Sequence, residues 1–205
     1  LLNQSSEWSG SLFGTNDWAD RPPKNLKLEE IKKQKLKLPG TNYKYNDVRV
    51  NLLSYSLLKV FRKPLPIILK EKIMDPIGAS TTWRWYGYTD SKVIIDGLEI
   101  ESVSGGGHFG GGIFINSEDH ARFGLLFLRN GIWNNKRLIS SDWIKKIQVS
   151  SENNVSYGYM WWLNKGHRKW NELPENIYYA SGFGGNYVVI VPNYDLVIVV
   201  RWLDS

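Results

Sequence analysis

The stretch PGTNYKYND, residues 39 to 47, carries the first groups able to do chemistry. Tyr45 places a phenol beside two short polar side chains, Asn46 and Asp47, where a long apolar run begins. A phenol can take and return a proton if cations lower its pKa. A second pattern, Ser56-Leu57-Leu58-Lys59, sets a serine and a lysine one helical turn apart, the spacing of an acyl-transfer nucleophile and its amine. This pair falls deep inside the helical run, away from the free N–H groups and partial positive charge of a helix start, so a nucleophile is not expected there. His108, in the tract SGGGHFGGG, could face a pocket. The same tract fits G-x-G-x-x-G over Gly105 to Gly110. The next helical pattern starts only at Ser117, and Asn130 stands where an acidic residue is required, which argues against dinucleotide binding. Glu118, Asp119 and His120 are consecutive and fan around a helix, and His108, His120 and His167 are far apart. No metal site is expected from them.

The elements that must position these groups are legible from periodicity. Asn46 or Asp47 can cap a helix whose apolar face is Val48, Leu52, Leu53, Leu57, Leu58, Val60 and Phe61, ended by Pro64 and Pro66. Pro66 also suits the first turn of a following helix. KVIIDGLEI predicts a hairpin about Asp96-Gly97. Ser117 is expected to cap SEDHARFGLLFLRNG, with Asp119 and Arg122 as a helix pair, and Ser140 or Ser141 to cap a shorter helix through Val149. The end reads as strands: YGYMWWL, IYYASG, and two runs about Pro192-Asn193-Tyr194-Asp195. Those last runs are apolar on both faces and predict a sheet covered on both sides. The class is α+β, an antiparallel sheet flanked by helices. Residues 1–205 are read as one domain, 38–150 mainly helical with a hairpin and 157–205 as sheet strands. Residues 1–37 read as a long ordered loop pinned by aromatics.

Composition bounds the function. Hydrophobic residues make up 42%, enough for a sizeable core. Cysteine is absent, which removes disulfides and thiolate metal sites. No apolar stretch reaches the roughly 18 residues of a membrane span, and there is no charged-then-apolar leader pattern. Net charge is +6, and residues 24–37 contribute six Lys against two Glu. That run reads as a solvated segment; nucleic-acid binding through it would require steeply salt-dependent affinity and is not expected. The ten Trp read mainly as core and pocket wall.

Taken in order, the landmarks resemble the class C β-lactamase and penicillin-binding-protein-like serine hydrolases, a family that includes related carboxylesterases. PGTNYKYND resembles the family's P-G-x-x-x-x-Y-x-N segment, and KEKIMDPIGASTTWRW the segment that follows it. GGGIFINSEDHARFGLLFLRNG resembles its central helix, and YYASGFGGNYVVIVPNYDLVIVV its closing strands. The likeness runs from about Trp8 to Trp202.

The resemblance implies a β-lactamase/transpeptidase-like fold, incomplete at both ends: the first strands, the S-x-x-K segment and the terminal helix have no counterpart here. It implies a serine hydrolase acting on a small-molecule ester, amide or lactam through an acyl-enzyme, with the nucleophile outside these residues, so that this fragment alone is inactive. Tyr45 becomes the general base and acid. Asp47 stands where the family has Asn and offers no amide N–H to substrate. Phe183 supplies its backbone N–H to the oxyanion. Ser181 and Gly182 contact substrate, with His108 added as a candidate from its glycine tract, where a plain loop histidine is the alternative, and Ala180 removes the cation of the family's Lys-Thr-Gly or His-x-Gly strand. No cofactor and no metal are implied, and a periplasmic or secreted location suits the family. The alternative is a non-catalytic module of the same fold that holds peptidoglycan-type peptides or sugars.

Overall fold

The computed structural model describes residues 1–105 and 112–203. In chain order its elements are β1 (Ser11–Leu12), β2 (Thr15–Asn16), α1 (Leu28–Lys32), α2 (Asp47–Phe61), α3 (Leu65–Leu69), β3 (Arg84–Ile95), β4 (Leu98–Val103) and β5 (Gly112–Phe114). There follow α4 (Ser117–Leu128), β6 (Ile132–Trp133), β7 (Lys136–Arg137), α5 (Ser141–Ile147), β8 (Trp162–Leu163), β9 (Tyr178–Gly182), β10 (Asn186–Val191) and β11 (Leu196–Val200). The fold is α+β, as the sequence predicts. The chain divides into two compact units, Leu1–Leu65 with Trp85–Ile113, and Pro66–Arg84 with Phe114–Ser205. Among the described residues no helix is long and apolar enough to cross a membrane, and no group of three His, Asp or Glu converges as a metal site.

In the first unit, α2 begins where Asn46 leaves the extended region and its side chain accepts from the Arg49 N–H at 3.0 Å. It ends at Arg62, in the left-handed region at φ 51°, whose N–H donates to the Leu58 carbonyl. Pro64 prevents continuation. The buried face differs from the apolar stripe expected. Leu57, Val60 and Phe61 are exposed, whereas Asn51 and Ser54 are buried. The reason is a set of polar contacts between distant segments. Asn51 Nδ2 donates to the Tyr88 hydroxyl at 2.9 Å, and Asn51 Oδ1 accepts from the Gly105 N–H at 2.9 Å. Leu58, Leu65, Ile95, Ile100 and Val103 form the apolar core of this unit. The predicted hairpin joins β3 to β4, with Ile95 opposite Leu98. Asp96 and Gly97 have φ 53° and 79°, the two positive values a tight two-residue hairpin turn requires. Residues 24–37, read as a solvated run, carry the short α1, of which only Ile31 is buried.

In the second unit the four-stranded antiparallel sheet has the order β11-β10-β9-β8. Helix α4 lies across β10 and β11. A Cβ at Gly124 would come within 2.6 Å of Val197 and 2.9 Å of Val188, so this glycine sets the closest approach of helix and sheet. Phe127, Ile144, Ile147, Trp161, Tyr178, Val188 and Ile190 fill the space between them. Strand β10 is buried from Val188 to Val191. Strand β11 departs from the expectation: it stands at one end of the sheet, and Leu196 and Ile198, on the same face, are 43% and 40% exposed. Asn116, one residue before the expected Ser117, caps α4 by accepting from the Asp119 N–H at 2.8 Å. Ser140 caps α5. The Asp119 carboxylate pairs with Arg122 at 3.1 Å, as the i, i+3 spacing predicts, and also accepts from the Ser80 N–H and hydroxyl. Burial pushes its pKa up, but the bonds from Ser80 and Asn116 outweigh burial and hold it below the usual value.

His120, next to Asp119, is largely buried; its Nδ1 has no partner among the described residues, and the Arg201 guanidinium repels its charged form. Burial first and Arg201 second lower its pKa from 6.5 to about 4. The unfolded chain therefore takes up this proton before the folded one. The contribution is full above pH 6.5 and is lost as pH falls through about 4. Denaturant midpoints measured at pH 7 and pH 5 should fall further in the wild type than in His120→Leu. Parallel losses in the two proteins would contradict this account.

Candidate active site

The start of α2 is a helix mouth whose N–H groups are met by residues far away in sequence. The Asn46 N–H donates to Gln4 Oε1 at 3.2 Å, and Asn46 Nδ2 donates to the Asp17 carbonyl at 2.7 Å. The Asp47 N–H donates to Asp20 Oδ2 at 2.8 Å. Asp20, Asn46 and Asp47 are all buried. Buried carboxylates need partners, and here a cation supplies them. Arg21 Nη1 donates to both oxygens of Asp20 at 2.9 and 2.8 Å, and Nη2 to Asp47 at 2.9 Å. One turn into the helix, the buried Arg49 donates from Nε to the Trp8 carbonyl at 3.0 Å and lies 3.6 Å from the Asp17 carboxylate. Asp17 in turn accepts from the Gly10 N–H at 3.0 Å. The N-terminal loop, expected to be pinned by aromatics, is held both by this ionic lattice and by the edge-on contact of Phe13 with Tyr55.

Tyr45 is half-buried directly before the cap. Its ring lies under the Arg21 guanidinium, 4.9 Å from centroid to Cζ. Burial pushes its pKa up to about 12, the Asp47 charge and a hydrogen bond to Asp47 add to the rise, and Arg21 opposes it. The phenol is therefore neutral at pH 7 and a hydrogen-bond donor. Tyr45 and Asp47 thus share one site, joined by Asp20 and Arg21. Sequence reasoning missed the latter two. The only local signal was the adjacent acid and base in DWADRPP.

Ser181, Gly182 and Phe183 lie together at the end of β9 and the turn into β10. Ser181 pairs with Tyr187 and Gly182 with Asn186. Asn186 Nδ2 donates to the Phe183 carbonyl at 2.6 Å, which fixes the peptide at the tip, while the Phe183 side chain is 82% exposed. Ala180 packs toward the core between sheet and helices and offers no charge. These residues and the Tyr45 cluster belong to different compact units. His108 lies outside the described residues; Gly105, before it, is held by Asn51. The Ser56 hydroxyl donates back to the Leu52 carbonyl at 2.7 Å, and Lys59 Nζ lies 5.3 Å over the Tyr55 ring. That is a helix surface, as expected, and not an activated serine.

A family model described as Beta-lactamase matches residues 1–202. No curated protein matches the chain. Several solved structures share its fold. One is the "Putative 6-aminohexanoate-dimer hydrolase" from Bacillus anthracis, at 24% identity and a TM-score of 0.60, over 81% of this chain and 39% of that one. Another is a penicillin binding protein from Bacillus halodurans, at 17% identity and a TM-score of 0.59, over 97% of this chain and 65% of that one. A third is EstCE1, a hydrolase with promiscuous acyltransferase activity, at 14% identity and a TM-score of 0.58, over 97% and 64%. The chain spans 39% to 65% of the length of these three structures.

The cap can be tested directly. Asn46→Ala removes the acceptor of the Arg49 N–H and the donor to Asp17 in one step. It should cost about 1–2 kcal/mol in urea denaturation, and Asn46→Asp should recover little of that, because the carboxylate keeps the capping bond but sets a buried charge against the Asp17 carbonyl.

Proposed function

The chain belongs to the β-lactamase family, and we propose that it forms part of a serine hydrolase that opens an ester, amide or lactam through an acyl-enzyme. The observation that carries the reading is the Tyr45-Asn46-Asp47 cluster, held at a capped and braced helix start. The nucleophile is a serine outside these 205 residues; Ser56, engaged with the Leu52 carbonyl, is not it. That serine oxygen attacks the carbonyl carbon while its proton passes, through an amine beside it, to the Tyr45 oxygen, which accepts it only as the phenolate. The tetrahedral oxyanion accepts from the N–H of the nucleophile and of Phe183, the residue whose carbonyl, in the next peptide, accepts from Asn186. The leaving group departs with the proton, and water repeats the sequence to release the acid. Ser181, Gly182 and His108 contact substrate. Ala180 supplies no positive charge for a substrate carboxylate, which favours ester and amide substrates over anionic lactams.

A phenol with a pKa near 12 needs a further cation to act as a base near neutral pH. Arg21 is paired with two carboxylates and does not meet that need alone. The 205-residue chain should therefore hydrolyse nothing by itself. The same observation favours the second reading, a non-catalytic module of this fold that holds peptidoglycan-type peptides or sugars. A fluorophosphonate probe separates the two. The full-length protein should label on a serine and turn over p-nitrophenyl esters, and Tyr45→Phe should slow both at least about 100-fold. An unlabelled, inert full-length protein would leave the binding module standing.

A further inference from the structure

We infer that Arg21 is the positioning residue of the Tyr45 phenol: its guanidinium covers the Tyr45 ring and ties Asp20 to Asp47, holding the Asp47 carboxylate against the phenol. This rests on the reading of Tyr45 as the group that moves protons. The contacts form a closed circuit. Asp47 is held by its N–H at Asp20 and by its carboxylate at Arg21, and Arg21 returns to both oxygens of Asp20. The Arg21 Cζ lies 4.9 Å above the ring those groups surround. A planar guanidinium can serve two carboxylates through separate N–H edges and still stack on a ring; an ammonium cannot. The backbone is shaped to the task. Arg21 has φ 47°, a left-handed conformation that a residue with a side chain keeps only where its surroundings hold it.

The charged groups facing the phenol are Asp47 from the helix start and Asp20 and Arg21 from the N-terminal loop. They act in opposite directions. The two carboxylates hold the phenol proton in place, and the guanidinium loosens it. Without Arg21, Asp20 and Asp47 would lose the cation they share, and the phenol would face both carboxylates with no guanidinium to oppose them. With Asn in place of Asp47, the phenol would lose its strongest acceptor. Arg21 therefore does two things to Tyr45: it fixes the acceptor of the phenol, and it limits how tightly that acceptor keeps the proton.

The test reads the phenol itself. The chain is prepared with 3-fluorotyrosine in place of its 11 tyrosines, and the Tyr45 resonance is assigned by its loss in Tyr45→Phe. Fluorine chemical shift is followed against pH. Asp47→Asn should lower the Tyr45 midpoint by about one pH unit, and Arg21→Gln should raise it by about half a unit. Shifts of the same sign, or none in either variant, would overturn the proposal. Arg21→Lys keeps the charge and loses the fork, and it guards against misfolding of Arg21→Gln. It should move the Tyr45 resonance at neutral pH while the midpoint stays within a few tenths of a unit; an unmoved resonance would equally overturn the proposal. Turnover of the full-length protein is a separate outcome. If Tyr45→Phe left turnover intact while the midpoints moved as stated, the functional reading would fail and the clamp would stand.

Discussion

A helix cannot begin without acceptors for its first N–H groups, and in this chain that requirement organises the whole candidate site. Asn46 meets it once within the helix, and Gln4 and Asp20 meet it from the N-terminal loop. Bringing Asp20 there buries a carboxylate, and a buried carboxylate calls for a cation. Arg21, next in sequence, answers it and reaches on to Asp47. The environment of Tyr45 follows from these steps. No part of the cluster is there for chemistry alone: each group that would touch the phenol also closes a hydrogen bond that the fold requires.

The same economy governs the strand end at Ser181. Its register is fixed by ladder pairs with Asn186 and Tyr187, and the tip peptide is held through Asn186. Only backbone groups and small side chains are presented before the exposed ring of Phe183. Relative to the family pattern, Asp47 adds a negative charge and Ala180 removes a positive one.

What the sequence disclosed was local. The turn at Asp96-Gly97 and the break at Pro192 depend on a few adjacent residues and are where the sequence places them, and the caps fall on Asn46 and Ser140, the first of the two residues the sequence offers in each case. The cap before α4 slipped by one residue because Asn116 and Ser117 are equally good caps. Errors grew with sequence distance. The buried face of α2 was misjudged because Asn51 is drawn inward by Tyr88 and Gly105, 37 and 54 residues away. Strand β11 was expected to be covered on both faces because its side chains are apolar throughout, and composition does not report which face is packed. Arg21 was passed over because its partner Asp47 is 26 residues on, in a contact no periodicity encodes. Tyr45 and Asp47 were legible as a pair; the brace between them and the loop was not.

The bond from the Asn46 N–H to Gln4 spans 42 residues. Joining such distant points means closing a long loop, an entropic barrier that a turn of helix does not face. The body of α2 can thus form early in folding, while its mouth waits for the N-terminal segment to arrive. Order in time is reversed on warming: the segment that arrives last is the first to leave. The phenol would lose its surroundings in a local opening of that segment.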